Sequence, residues 1–122
     1  YIAKYTIIWR LLMNVAAADI YEKRAEILKA MAHPARLRMV DAISRGRKSV
    51  HELAELVDLD ISTVSRHLTV LRNADIVTRE KEGRNVYYSL RFRCVMNFFI
   101  CVEDVLSSSA GKERHRCSLA GR

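Results

Sequence analysis

Proline occurs once and glycine four times in 122 residues, too few for a loop-rich chain or an all-β protein with its many turns. Cysteine occurs three times, at Cys94, Cys101 and Cys117. An odd number at wide spacing forms neither a secreted disulfide framework nor a CxxC zinc module. Reduced thiols in a cytoplasmic setting are expected instead. No apolar run reaches the roughly 18 residues of a membrane span. The run Ile7 to Met13 has a trace of a secretory signal, but Arg10 interrupts it. Aromatics are only 7% of the chain, and no internal repeat or low-complexity block occurs. Acidic residues are outnumbered 14 to 21 by Lys and Arg, which leaves a net charge of +7. A small domain this basic expects a polyanionic partner, nucleic acid before an anionic membrane surface.

What is present is a folding composition, 50% apolar and 29% charged, of about one domain's length. Ile20, Ile27, Leu28 and Met31 recur at helical spacing, with Glu22, Lys23, Arg24 and Glu26 on the other side. Asp19 is the expected N-cap, which makes residues 1–18 an N-terminal extension. Pro34 disfavours helix in the residue before it and suits the first turn of a next helix, so the first helix should end at His33. Leu37, Val40 and Ile43 or Ser44 continue the second helix, and Gly46 fits its stop. Ser49 and Glu52 have capping-box spacing and open a short helix with Leu53, Leu56 and Val57 inward. Asp58-Leu59-Asp60 is a turn, and Asp60 caps a further helix whose Ile61, Val64, Leu68 and Leu71 share one face. Two short helices joined by about three residues have helix-turn-helix spacing.

After Asn73-Ala74-Asp75 the period changes to two. Residues 76–81 and 86–90 read as an antiparallel hairpin around Glu82-Gly83-Arg84-Asn85. Helical spacing returns with Val95, Phe98, Phe99, Val102 and Leu106, and residues 107–122 read as a basic tail. The fold expected is mainly α (α+β): a winged helix-turn-helix over residues 19–106, with a two-stranded β-wing and flanking terminal helices.

Two strings carry a family resemblance. Ala32-His33-Pro34-Ala35-Arg36-Leu37-Arg38, followed by Ile61-Ser62-Thr63-Val64-Ser65-Arg66-His67-Leu68-Thr69-Val70-Leu71-Arg72-Asn73-Ala74-Asp75-Ile76-Val77, resembles the ArsR/SmtB family of metalloregulators. The resemblance covers about residues 20 to 106. It implies a homodimeric repressor that leaves its operator when an inducer binds.

The recognition helix can be argued without the family. With Ile61, Val64, Leu68 and Leu71 inward, Ser62, Ser65, Arg66 and Thr69 share the outer face. Small hydroxyls allow close approach to the major groove, and Arg66 can donate two bonds to a guanine edge. Alternatively, Ser62 and Thr63 only complete an N-terminal turn and Arg66 is solvated. Thr63 and His67 lie on the flank, where His67 steadies the helix or touches phosphate. Residues 61–93 hold seven Lys/Arg against three acids. Arg79, Lys81 and Arg84 around the wing are the phosphate or minor-groove candidates, unless they form an ordinary charged hairpin tip. Arg45, Arg47 and Lys48 form a weaker basic cluster.

The inducer site is less defined. The resemblance implies a Cys-x-Cys pair where this chain has Ser49 and His51, or a His/Asp set on a last helix that here holds no His. Cys94 and Cys101 remain, with Cys117 a possible third sulfur. Thiolates suit As(III), Sb(III) and other soft ions. Seven residues of continuous helix rise about 10.5 Å, so both sulfurs of one helix cannot meet one ion. Cys94 must precede the helix, both subunits must contribute, or Cys117 must fold back; otherwise the cysteines only pack. Apolar first and last helices fit a dimer interface. The rivals are a repressor that senses redox state or sulfide through a thiol, and a winged helix used for protein–protein assembly. No catalytic nucleophile–base pair is visible beyond His115 near Cys117, so no enzyme is expected.

Overall fold

The computed structural model describes residues 2–109, and of residues 2–5, 9 and 11–18 it describes the backbone only. Helix α1 spans Ile2–Met31, α2 Pro34–Ser44, α3 Val50–Val57, α4 Ile61–Asn73 and α5 Val95–Ser109. Strands β1 (Lys48–Ser49), β2 (Val77–Glu82) and β3 (Asn85–Leu90) form one antiparallel sheet in the order β1-β3-β2. Cys117 and most of the expected tail lie outside the described residues.

Local chemistry sets the breaks. His33 adopts the extended conformation (φ −154°, ψ 133°) that a residue before proline prefers. The first helix therefore ends at Met31, and His33 becomes the N-cap of α2, its Nδ1 accepting from the Ala35 N–H at 3.1 Å. The Ser49 capping box is complete. Glu52 N–H donates to Ser49 Oγ at 3.2 Å, and Ser49 N–H donates to Glu52 Oε2 at 3.0 Å. Ser49→Ala should cost about 1 kcal/mol, because it strips this cap; a shift in the urea midpoint at unchanged slope measures it. Asp58 closes α3 in the left-handed region (φ 54°). The wing turns on Gly83 at φ +63°, the positive value a two-residue hairpin turn takes from glycine, and Glu82 faces Asn85 across it.

Besides the end of α1 at Met31 rather than His33, and the extension of α5 through Ser109 into the expected tail, three further sequence expectations are corrected. Asp19 caps nothing: α1 runs through it, and its carboxylate pairs with Lys23 at 3.1 Å. The sheet has three strands rather than two, because Lys48 and Ser49 pair with Tyr88 and Tyr87. Leu56 and Ile61 are exposed, at 51% and 46%. In α3 the buried stripe is Leu53, Ala54 and Val57, and Leu56 sits about 100° away from its centre. Ile61, as the first residue of α4, projects past the core.

The core lies where α2, α3 and α4 meet the base of the sheet. Met39, Val40, Leu53, Val64, Leu68 and Leu71 are fully buried there, with Ile76, Val77 and Tyr88 closing it. Helix α5 has no buried residue, although Val95, Met96 and Phe99 rest on the core.

Candidate nucleic-acid interface

Helix α4 is anchored by Val64, Leu68 and Leu71, which fixes its opposite face outward. Its start is set by Asp60. Thr63 donates to this carboxylate from its N–H at 3.0 Å and its hydroxyl at 2.6 Å, and Ser62 Oγ donates to it as well. The hydroxyls of Ser62 and Thr63, followed by the Thr63 amide, hold the Asp60 carboxyl well below the usual carboxylate range. Both hydroxyl protons are thus committed to the helix start. Thr69 Oγ1 likewise donates to the Ser65 carbonyl at 2.8 Å. Arg66 is exposed opposite the buried stripe and enters no ion pair among the described residues, so its donors stay uncommitted, as do those of exposed Arg72 near the helix end.

A cleft of about 420 Å³ runs between α4 and the wing, and Ser65, Thr69, Arg72, Arg79 and Arg84 line it. Behind it, a second cleft of about 430 Å³ gathers Arg72, Arg79, Lys81 and Arg91 around Asp75. Asp75 neutralises Arg91 through a 3.0 Å contact. Arg79, Lys81 and Arg84 are exposed and unpaired among the described residues. Arg79 and Lys81 share one face of β2 by its period of two.

The structure therefore brings Ser65, Thr69, Arg79 and Arg84 together, joined by Lys81 across the second cleft. It leaves Arg66 on the outer face, and Ser62 and Thr63 at the helix start. His67 turns away, its ring centroid 4.5 Å from that of His33. Arg72 lines both clefts as well, a position the sequence reading did not single out. Its spacing from Ser65 and Thr69, seven and three residues, is the helical signal that could have found it. The wing is held from the side by Arg47, whose guanidinium lies 4.3 Å over the Tyr87 ring and 2.8 Å from Glu82.

Cys94 stands in the turn before α5, exposed and free. Cys101 is half-buried on α5 and is not a free thiol. Among the described residues no three His, Cys, Asp or Glu side chains are grouped to hold a metal ion. No helix among them is long and apolar enough to cross a membrane.

Comparison with known proteins agrees with this geometry. Residues 33–79 match the family model described as bacterial regulatory protein, arsR family. The chain is 39% identical over 96 residues to a transcriptional repressor SmtB homolog of Synechocystis sp., a match covering 79% of this chain and 73% of that one. It is 36% identical over 72 residues to the HTH-type transcriptional repressor SmtB of Mycobacterium tuberculosis, covering 59% of this chain and 53% of that one. Among solved structures, the homodimeric winged helix-turn-helix DNA-binding domain of Mb0332 from Mycobacterium bovis superposes with a TM-score of 0.71 at 25% identity, covering 82% of this chain and 93% of that one. With its helix-turn-helix, basic wing and this extended likeness, the chain belongs to the ArsR/SmtB family of winged helix-turn-helix DNA-binding transcriptional repressors.

Proposed function

We propose that two copies of this chain read a duplex operator with α4 and grip its backbone with the wing. One observation carries the reading: unpaired Arg79 and Arg84 converge with Ser65 and Thr69 in a single cleft beside exposed Arg66. Arg66 donates to a guanine edge in the major groove. Arg79, Lys81 and Arg84 meet phosphates or the minor groove. Ser62 and Thr63 keep the helix start rigid through Asp60, and their small size lets it approach the bases.

A dimer follows from the outer helices. Ile20, Ile27 and Leu28 on α1 and Phe98, Val102, Val105 and Leu106 on α5 are all more than 40% exposed, more apolar surface than a monomer ordinarily leaves in water. A two-fold copy covering them sets two recognition helices about one DNA turn, roughly 34 Å, apart. The homodimeric state of Mb0332 supports this. Sedimentation at micromolar concentration should show a dimer, and Phe98→Glu should give monomer or insoluble protein, because a charge would be buried without a partner. A stable wild-type monomer would contradict the two-fold arrangement.

The inducer acts at the cysteines. The family implies a metal, but the described donor set does not fit a resident ion: one exposed thiol, a Cys101 that is not free, and no three-donor group. A soft thiophile such as As(III) or Sb(III) engages Cys94 first, with further sulfur from a second protomer. The state of Cys101 favours a second reading, release through thiol oxidation or sulfide chemistry. Operator release should follow As(III), Sb(III), Cd(II) or a persulfide and not Zn(II), and Cys94→Ser should abolish it while DNA affinity is kept. Normal release from the Cys94→Ser/Cys101→Ser double variant would make the thiols packing residues.

A further inference from the structure

The side of α4 turned away from DNA carries a contact that the operator reading does not use. Arg36, half-buried on α2, reaches two other helices. Its Nε donates to the Ala30 carbonyl at 2.5 Å and its Nη2 to the Lys29 carbonyl at 3.3 Å, both in the last turn of α1. Its Nη1 lies 3.3 Å from Nδ1 of His67 on α4. The third ring of the cluster, His33, is committed through its own Nδ1 to capping α2. One guanidinium thus spans the end of an outer helix and the back of the recognition helix.

A guanidinium has donors and no acceptor. Its bond to His67 therefore needs the lone pair of a neutral Nδ1, with the ring proton on Nε2. Protonated His67 would set donor against donor and charge against charge. The titratable and charged groups facing the ring are His33, at the N-cap of α2, and Arg36 on α2; α1 offers the guanidinium only backbone carbonyls. No carboxylate among them compensates an imidazolium.

We propose that Arg36 is a positioning residue for operator reading: it ties α4 to the end of α1, and the tie holds only while His67 is neutral. This inference rests on α4 being the DNA-reading helix and adds to that reading the residue that sets its orientation. Because α1 carries part of the proposed dimer surface, the tie also links the pairing of protomers to the reading heads.

The sign of the proton effect follows. Burial first, and then His33 and Arg36, hold His67 below the ordinary imidazole range. With the tie broken and the ring in water, His67 takes a proton from about pH 6.5 downward. The broken form then binds more protons than the tied form, so acid favours it and operator affinity falls. A phosphate contact by His67 would act oppositely, since an imidazolium attracts phosphate.

The test uses the full chain, a duplex that the wild type selects from random sequence, and a scrambled duplex, followed by fluorescence anisotropy from pH 8 to 5.5 at fixed ionic strength. The preference of wild type for the selected duplex should fall progressively on acidification, as the pH drops through the ordinary imidazole range. His67→Gln, whose amide oxygen accepts from Arg36 at every pH, should hold its preference flat. Arg36→Gln should begin weaker and also be flat. In the free protein, the His67 imidazole signals should titrate below the ordinary value and move upward in Arg36→Gln. Identical pH profiles for wild type and His67→Gln would overturn the tie, as would acid-strengthened binding that His67→Gln removes. Failure to select any duplex would contradict the DNA reading instead, and the imidazole titration would still decide the tie.

Discussion

Leu68→Ala is expected to destabilise the fold by about 2–5 kcal/mol, the range for truncating a buried leucine when the surrounding structure cannot fully collapse. Leu68 has no exposed surface and belongs to the same buried cluster as Met39, Leu53, Val64 and Leu71. Domains of this kind are held by only about 5–15 kcal/mol in total. The cavity would sit under the middle of α4, so DNA reading should be lost along with stability. Ile61→Ala, on the same helix but 46% exposed, should cost far less. Urea unfolding at one fixed protein concentration compares the two variants and keeps any effect of self-association constant. Equal costs would mean that α4 does not pack through the face carrying Val64, Leu68 and Leu71.

Arg66→Ala should cost roughly 1–3 kcal/mol on the selected duplex and remove most of the preference for it. The expectation rests on placement. Arg66 is exposed on the face of α4 opposite the buried stripe, and it spends none of its donors on an ion pair among the described residues. Arg84, at the turn of the wing, should behave differently. Its loss should weaken all duplexes alike and flatten the salt dependence by about one unit, because phosphate carries no sequence information. Binding isotherms for selected and scrambled duplexes separate the two roles. An Arg66→Ala variant that keeps full preference would place the reading face elsewhere.

The parts of this fold legible in the sequence are those set by local chemistry. Pro34 marks the break between α1 and α2, Ser49 with Glu52 marks the start of α3, and Asp60 marks the start of α4. Helical spacing found Val64, Leu68 and Leu71, and alternation found both wing strands. What escaped was decided by neighbours in space. Strand β1 is two residues long, too short for any period, and exists because Lys48 and Ser49 meet Tyr88 and Tyr87. Asp19 is a good capping residue in a place where the helix simply continues. Ala54 displaces Leu56 from the core stripe, which hydrophobicity alone ranks the wrong way round.

In the site, residue type identified the basic wing and the outer face of α4. It did not show which hydroxyls were already spent. Ser62 and Thr63 donate to Asp60, and His67 faces Arg36 and His33, both pairings fixed by the packing of the helices and their caps. Cys94 does precede α5, as bringing its sulfur toward Cys101 would require, but Cys101 is not a free thiol, a state that residue spacing does not reveal.

The most direct test of DNA reading by α4 and the wing is binding to the selected duplex and its scrambled counterpart from 50 to 200 mM salt. The expected result is clear preference for the selected duplex, with log K falling linearly in log salt by about 0.9 for each phosphate neutralised, several units in all. Equal, salt-insensitive binding to both duplexes would contradict it and leave the winged helix as a protein-assembly module.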